Sequence, residues 1–552
     1  MSLFVTREGS KLKWNNTNLV FASFNAPNLM MVEDPYFKRI DHWEQMDILS
    51  SISQLGGKVT RPYVFSIPKD PTDLEKHIIV ESGYGTEKVK WNINEDLFTD
   101  IDSALSLANQ FNVKIIIPFI DDWEWWGGVE TFSKMYGGNR RDFYENKVII
   151  EGWKLFIKKV INRQNTISGL HYRNDPAILA WETGNELQLD QKPVPSSWTL
   201  DIASYIKSQD VNHLVMDGSY GIHGWPIEIL TASDIDIFSN HYYLQPLGWT
   251  PYTVIGWISI VVLIISCLVT IFLAMKNRIF SMDVIHQRIP DTDELELNSI
   301  DDRPHVFSRY PTLNKRKYYY AANMTVSLLF LSLILAQPIP FPTLDRRIQK
   351  DTEYIHGFNK AFIIGEIGLV SNQDMKKAVT SFLNVNASGF LVWSLRMHTR
   401  QGGFYTHEEH DGYWSYHYPG FPETDGFPKD ERLMIELILE TNANLGNQRN
   451  LTIPTAPLLF SPLVDESFTH FRWRGTPGAS SYSLIMTYPF EKIIKEGIVD
   501  NTQEKQTILK LPLDEFRKLD SSNFTMSVIA YGDWTNVTSN SVTFDLNINS
   551  SM

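Results

Sequence analysis

Two glutamates close apolar runs of the chain and together could form a pair of acids in one site. Glu186 ends a segment that starts at Pro176, and Glu366 ends a second segment that starts at Ala361. Such runs are typical of buried parallel strands, which carry their last residues to one face of a barrel. Two carboxylates on that face can cleave a glycosidic bond, one as proton donor and one as nucleophile. Taken singly, each glutamate is equally well explained as a surface residue or a helix cap.

The elements that must position these acids alternate along the chain. Eight strand-like runs occur at Phe21–Phe24, Lys58–Tyr63, Val113–Phe119, Ile178–Trp181, His213–Met216, Ile235–Ser239, Phe362–Gly365 and Gly389–Trp393. Amphipathic helices are predicted at Tyr36–Gln54, Glu95–Phe111, Asp142–Asn162, Ser197–Gln209, Leu344–Asn359, Gln373–Asn384 and Lys429–Asn444. This alternation predicts an α/β fold, a (β/α)8 or TIM barrel, with its site on the loops that follow the strands.

The C-terminal part has a different pattern. Beyond Pro454 the chain shows short alternating runs, such as Phe471–Arg474 and Tyr482–Met486, between Pro, Gly and Ser turns. These runs predict a small C-terminal β-sandwich over residues 451–552. The barrel is then expected in two parts, residues 1–251 and 342–450.

Residues 252–341 interrupt the barrel pattern. The run 254–275 has no charged residue and is long enough for a helix to cross the ~30 Å hydrocarbon core, and a weaker run covers about 321–341. Basic residues after the first run and before the second predict a cytoplasmic loop between two transmembrane helices. Without this insertion, the length between Glu186 and Glu366 fits three βα units. The alternative is that residues 252–341 are translated non-coding sequence.

The composition argues against several classes of protein and of binding site. The 552 residues are 43% apolar and carry a net charge of −14, which disfavours a nucleic-acid binder and supports a large core. A single cysteine, Cys267, permits neither a disulfide framework nor a thiolate zinc site. No cofactor and no metal are expected. His407, His410 and Asp411 invite a metal interpretation, but a sugar-lining loop is favoured because no helix places them on one face.

The motifs at the strand ends resemble the retaining hydrolases of glycoside hydrolase family 5, and within it the fungal and plant endo-β-1,4-mannanases. The resemblance covers nearly all of residues 3–250 and 344–545. It is carried by Thr60–Tyr63, Ile117–Gly128, Asn162–Gly169, Asp175–Glu186, Ser239–Tyr243, Gly365–Gly368 and Leu391–Ser394. It departs from the family at Leu187-Gln188, where many mannanases have Pro-Arg, and at Asp121-Asp122, where Asn is common. These departures weaken the assignment to mannan more than the assignment to hydrolysis.

The resemblance implies a role for each matching residue. Glu186 matches the acid/base and Glu366 the nucleophile, while Arg61 and Tyr243 are expected to bind the nucleophile carboxylate. His241 is expected beside the acid/base, and Asn185 is expected to donate to the sugar 2-hydroxyl. Trp393 would form a stacking floor, and Trp123 and Trp125 would line the cleft. Ordinary packing or ion pairing remains the alternative for Arg61, His241 and the tryptophans.

The sequence thus predicts a membrane-tethered enzyme that cleaves internal β-1,4-mannosidic bonds of mannan or glucomannan. The alternatives are a β-glucanase or transglycosylase of the same family, or a catalytically silent polysaccharide-binding protein at the cell surface. The apolar runs bear on localisation, and so do the Asn-x-Ser/Thr sequons that begin at Asn15, Asn386, Asn450, Asn523 and Asn536. They predict an extracellular or lumenal catalytic domain in the secretory pathway, although the chain starts without a recognisable signal peptide.

Overall fold

We analysed a computed structural model of the protein. It describes residues 3–33, 37–243, 343–409, 412–452, 455–488, 491–502, 508–517 and 523–545, with nine further positions between 261 and 326. The chain divides into two compact units, one formed by Met1–Leu244 with Thr343–Met552 and the other by Gln245–Pro342. The fold and site described below belong to the first unit.

Eight parallel strands form the central sheet of this unit. In chain order they are Phe21–Phe24, Val59–Thr60, Lys114–Pro118, Ile178–Glu182, Leu214–Met216, Ile237–Tyr243, Ala361–Gly368 and Gly389–Val392. Each strand pairs with the next along the chain from the second to the eighth, and the eighth pairs with the first. The backbone N–H of Ala26 donates to the carbonyl of Arg61 at 3.0 Å, which joins the ends of the first two strands. The predicted barrel is therefore confirmed.

Helices cover the outside of the barrel. They span His42–Gln54, Glu95–Phe111, Val129–Met135, Asp142–Glu145, Lys147–Ile161, Ser196–Gln209, Ile227–Leu230, Leu344–His356, Asn372–Val385 and Arg432–Asn444. The first begins later than predicted because Asp41 and Glu44 form a capping box at its start. The predicted helix over Asp142–Asn162 is two helices, since Asn146 is extended and caps the second one through Val148 N–H.

The barrel core is closed at the end opposite to the site. A small antiparallel sheet of Thr6–Glu8, Lys11–Trp14 and Thr17–Asn18 precedes the first barrel strand. In and beside this sheet, Val5, Leu12 and Leu19 join a buried cluster with Val59 and Leu179 from the barrel strands. The N-terminal segment therefore seals the barrel interior and contributes to its hydrophobic core.

Antiparallel sheets form the C-terminal part. Their strands are Leu458–Leu459, Leu463–Val464, Phe468–Phe471, Trp473–Arg474, Ser481–Tyr488, Glu491–Ile498, Leu509–Pro512, Asn523–Tyr531, Val537–Thr538 and Val542–Asp545, with a helix at Leu513–Arg517. The C-terminal sheets have a hydrophobic core of their own, which includes Phe471, Trp473, Leu484 and Val528. The alternation seen in the sequence therefore produces antiparallel strands; the domain boundaries at 251, 341 and 450 stay predictions.

The predicted membrane localisation is wrong when the described helices are judged by their length and hydropathy. A helix needs about 20 consecutive apolar residues to cross a bilayer. Among the helices that the structure describes, none combines sufficient length with sufficient hydropathy to do so. Most of the runs 254–275 and 321–341, and all of the predicted cytoplasmic loop, lie outside the described residues.

Candidate active site

Five of the predicted residues converge because they follow different barrel strands at the same face. Arg61 follows the second strand, Glu186 follows the fourth, His241 and Tyr243 end the sixth, and Glu366 lies in the seventh. All five are at least nine-tenths buried except Tyr243, which is partly buried. The barrel geometry thus gathers side chains that are more than 300 residues apart between Arg61 and Glu366.

His241 lies between the two glutamates. Its Nδ1 is 2.7 Å from Oε1 of Glu186 and 3.5 Å from Oε2 of Glu366. Side-chain oxygens of Glu186 and Glu366 lie within 4.8 Å of one another, with the His241 nitrogen inside the same limit. The two carboxyl groups therefore border a single small volume.

Arg61 binds Glu366 of the seventh strand and also Glu182, a residue that the motifs do not single out. Its Nη1 donates to Glu366 at 2.7 Å, and its Nε and Nη2 donate to the two oxygens of Glu182 at 2.6 and 3.2 Å. Glu182 is 1% exposed. The only sequence signal for it was an acid inside an apolar run next to Trp181. The fork on Glu182 orients the guanidinium that faces Glu366.

Asn185 is held in one orientation by partners on both sides of its amide. Its Oδ1 accepts from Nη2 of Arg61 at 2.8 Å, and its Nδ2 donates to Oδ1 of Asp121 at 2.9 Å. Asp121 also accepts from the hydroxyl of Tyr63 at 2.5 Å. Asp121 was noticed in the sequence only as a departure from the family pattern. In the structure it is part of the support of Asn185.

The hydroxyl of Tyr243 donates to Oε2 of Glu366. Glu366 therefore receives donors at both oxygens, from Arg61 and from Tyr243. Burial and the nearby carboxylates raise the pKa of Tyr243 well above its ordinary value, so the phenol stays protonated as a donor.

The three tryptophans occupy different places. Trp123 is 48% exposed and its indole Nε1 donates to Oε2 of Glu186 at 2.6 Å. Trp393 packs edge-on against Tyr63, with ring centroids 6.1 Å apart, and donates to Glu409 at 2.6 Å. Trp125 donates instead to Glu33 at 3.0 Å. Trp125 is thus tied to Glu33 and not to the carboxylate pair.

Charge on the central pair is set by burial and by these donors. Burial raises the pKa of Glu186, but hydrogen bonds and charge from His241 and the indole of Trp123 outweigh it, and the pKa is lowered. Burial dominates at Glu366 and raises its pKa despite His241 and Arg61, with the charge of Glu186 adding to the rise. Burial lowers the pKa of His241, but the two glutamates outweigh it and raise the pKa.

The backbone at Glu186 is unusual. Its φ is 52°, in the left-handed region that few residues other than glycine adopt. Neighbouring hydrogen bonds fix this conformation: the N–H of Asn185 donates to Ile120 and the N–H of Leu187 donates to Gly218. A Cβ on Gly218 would overlap the backbone of Gly184, so the loops after the fourth and fifth strands can approach only without a side chain there.

Within the described residues, one group of three carries donors suited to a metal: Glu186, His241 and Glu366. The guanidinium of Arg61, bound to Glu366, is an unfavourable neighbour for a cation. The earlier alternative of a metal at His407, His410 and Asp411 falls partly outside the described residues, because the structure does not describe His410 and Asp411.

Comparison with known proteins points to a class of glycosidases. Residues 134–255 match the model of a family described as β-mannosidase-like within glycoside hydrolase family 5. This range includes Glu186 and His241 and ends before Glu366. The match supports the resemblance predicted from the motifs.

Two of the similar proteins are mannan endo-1,4-β-mannosidases. The chain is 28% identical over 267 residues to mannan endo-1,4-β-mannosidase F of Aspergillus fumigatus, which covers 45% of this chain and 57% of that protein. It is 32% identical over 181 residues to mannan endo-1,4-β-mannosidase 1 of Arabidopsis thaliana, covering 29% of this chain and 44% of the relative. The chain thus spans about half the length of these curated relatives.

A solved structure is similar in fold. The endo-1,4-β-mannanase of Rhizomucor miehei aligns with a TM-score of 0.51 at 18% identity, covering 81% of this chain and all of the other. At this identity the similarity concerns the fold alone, and it agrees with the barrel described above.

Proposed function

We propose that the protein is a retaining glycoside hydrolase that cleaves internal β-1,4-mannosidic bonds of mannan or glucomannan. The observation that carries the proposal is the pair of buried carboxylates, Glu186 and Glu366, with oxygens within 4.8 Å and with His241 between them. Retaining glycosidases hold their two carboxyl groups about 5–5.5 Å apart, whereas inverting enzymes leave about 6.5–9.5 Å for a water molecule. The short separation supports the retaining mechanism.

In the first step of the proposed mechanism, Glu366 attacks the anomeric carbon while Glu186 gives its proton to the departing glycosidic oxygen. The bond between sugar and leaving group breaks as the bond to Glu366 forms. Arg61 and Tyr243 hold the attacking carboxylate through one donor on each oxygen. Their hydrogen bonds fix its position and favour its ionised form.

In the second step, Glu186 takes a proton from a water molecule, which attacks the same carbon and releases Glu366. The configuration is inverted twice and therefore retained. His241, 2.7 Å from Glu186, stabilises the ionised form that is required at this stage.

The remaining predicted residues are proposed to bind sugar. One N–H of Asn185 is bound to Asp121, and its amide nitrogen carries a second N–H for the 2-hydroxyl. Trp393 offers an aromatic face beside Tyr63, and apolar sugar faces stack on such rings. Trp123 and Trp125, 48% and 57% exposed, extend this aromatic lining.

Replacement of Glu366 by Ala tests the nucleophile. We expect hydrolysis of an aryl β-mannoside to fall by several orders of magnitude, because no covalent intermediate can form. Azide should restore turnover and give the α-mannosyl azide, since the small anion enters from the face that the carboxylate has vacated. Product configuration is measured by NMR.

Glu182→Gln is the matched control, because Glu182 also binds Arg61 but has both of its oxygens engaged by that guanidinium. This variant should lose activity through Arg61, and azide should not restore it. Undiminished hydrolysis by Glu366→Ala would contradict the proposed function.

Substrate class needs its own measurement. The names of the curated relatives favour mannan, and we expect the rates to decrease in the order mannan, glucomannan and β-glucan. Faster cleavage of β-glucan would favour the β-glucanase alternative. Binding of all three without cleavage would favour a polysaccharide-binding protein.

A further inference from the structure

The proposed acid/base has donors on both of its oxygens. His241 Nδ1 lies 2.7 Å from Oε1 of Glu186, and Nε1 of Trp123 lies 2.6 Å from Oε2. His241 is 6% exposed and Trp123 is 48% exposed, whereas Glu186 itself is 8% exposed. Oε1 is therefore bound by a buried donor and Oε2 by a half-exposed one.

This contact conflicts with proton donation from the same oxygen. An indole N–H can only donate, and a donor on a carboxylate favours the ionised form. The glycosidic oxygen must come within hydrogen-bond reach of the acid on the cleft side. Both oxygens of Glu186 are bound by donors in the structure, so one of these donors must leave before the glycosidic oxygen can take its place.

On the basis of the proposed function, we propose that Trp123 is a positioning residue whose indole N–H holds Glu186 in the resting protein. The N–H leaves Oε2 when the sugar chain enters the cleft, and Oε2 can then carry the proton for the departing oxygen. The half-exposed indole has the solvent access that such a displacement requires. No similar freedom exists for buried His241, which retains its contact.

The charges around Glu186 support this sequence of events. The ionisable groups that act on it or feel its charge are His241, Glu366, Arg61, Tyr243, Tyr220 and Asp121. With Trp123 in place, burial raises the pKa of Glu186, but the donors His241 and Trp123 outweigh burial and the pKa is lowered, which is unfavourable for a proton donor. Loss of the indole donor removes one of the hydrogen bonds that lower this pKa and therefore favours the protonated form of Glu186.

The variant Trp123→Phe removes the N–H and keeps an aromatic ring. The pH profile of kcat/KM reports the free enzyme, and that of kcat reports the substrate complex. We expect the basic limb of the kcat/KM profile to move to higher pH by about one unit, since a hydrogen bond to a charged group contributes this much. The basic limb of the kcat profile should stay in place, because the bond is already absent in the complex.

Trp125→Phe is the control, since its indole binds Glu33 and not Glu186. It should leave the basic limb of the kcat/KM profile where it is, whatever its effect on KM. An unmoved limb in Trp123→Phe, or an equal movement in both profiles, would overturn the proposal.

A second measurement separates this proposal from the proposed function. The full-length protein is labelled with 15N-tryptophan, and the indole resonance of Trp123 is assigned as the one that is missing in Trp123→Phe. This resonance should shift with pH in the wild type. The shift should be absent in Glu186→Gln. In Glu366→Ala, saturation with mannotetraose should move this resonance toward the position of an indole without a carboxylate partner. An indole resonance insensitive to pH between about 3 and 8 would overturn the positioning role even in an active enzyme. Loss of the hydrolase proposal would instead appear as absent turnover in the wild type.

Discussion

At the scale of single residues, Arg61 has the greatest influence on the proposed site. It is fully buried and contacts Glu182, Glu366 and Asn185. Burial opposes its charge, but the two carboxylates outweigh this effect and raise its pKa. The guanidinium therefore stays charged and balances two acids that would otherwise repel each other in the barrel interior.

We expect Arg61→Ala to reduce the free energy of unfolding by about 3–5 kcal/mol, because it leaves buried carboxylates without a counter-charge. Activity should be lost as well. The measurement is urea-induced unfolding of the full chain, monitored by circular dichroism.

Arg39→Ala provides the comparison. Arg39 pairs with Asp100 at 2.7 Å, but its side chain is 51% exposed. Exposed ion pairs contribute about 0–1 kcal/mol, so this variant should unfold nearly as the wild type does. Equal destabilisation by both substitutions would argue against a special role of the buried network.

At the scale of elements, a buried histidine joins the barrel to the C-terminal sheets. Nδ1 of His398, in the loop after the eighth strand, lies 2.9 Å from Asp47 of the first helix, and Nε2 lies 3.2 Å from Asp500 beyond Glu491–Ile498. Nearby, Gln54 donates to Pro477 and accepts from Trp534. The sequence left open whether the C-terminal part supports the barrel or binds glycan, and these contacts favour support.

The charge of His398 gives a prediction of pH dependence. Burial lowers its pKa, but Asp47 and Asp500 outweigh this and raise it from 6.5 to about 10. A raised folded-state pKa contributes stability that is complete below the unfolded value and is lost as pH rises through the folded value. The difference in Tm between wild type and His398→Gln should therefore shrink between about pH 7 and 10.

His77→Gln is the control for this experiment. His77 is also buried, but burial lowers its pKa to about 3, so it is neutral in the folded protein throughout that pH interval and largely neutral in the unfolded chain. Its Tm difference from the wild type should remain constant. A Tm difference between wild type and His398→Gln that does not change with pH would show that His398 is uncharged.

At the scale of the whole molecule, the first compact unit is built from two separate stretches of chain. The sixth barrel strand, Ile237–Tyr243, pairs in register with the seventh, Ala361–Gly368, although Gln245–Pro342 lies between them in sequence. The helix Leu344–His356 then provides the crossover between them. The break thus falls at the position of an ordinary βα loop, which normally has about 2–6 residues.

Replacement of residues 245–342 by a short Gly-Ser linker should consequently give a folded barrel. We expect its Tm and its activity on the aryl mannoside to match those of the full chain, because strand pairing and the site residues lie outside the replaced segment. An aggregated product would mean that the segment contributes to the barrel and is not an insertion.

Local patterns in the sequence predict the order of the elements and the two glutamates at the strand ends. Apolar runs that end in Glu186 or Glu366 are local patterns, and a parallel barrel brings all such ends to one face. The roles expected of Arg61, His241 and Tyr243 came from the resemblance to the family, since apolar runs alone do not single out these residues. The alternation of strand and helix was therefore sufficient to predict the barrel.

The partner of each side chain is visible only in the folded protein. Glu182 on Arg61, Asp121 on Asn185, the indole of Trp123 on Glu186 and His398 between two aspartates are contacts between distant parts of the chain. Periodicity reports the face on which a residue lies but not its partner, and the direction of a hydrogen bond depends on distances of a few tenths of an ångström. For this reason the sequence predicts the pair of carboxylates, whereas the donors that affect their protonation are seen only in the folded barrel.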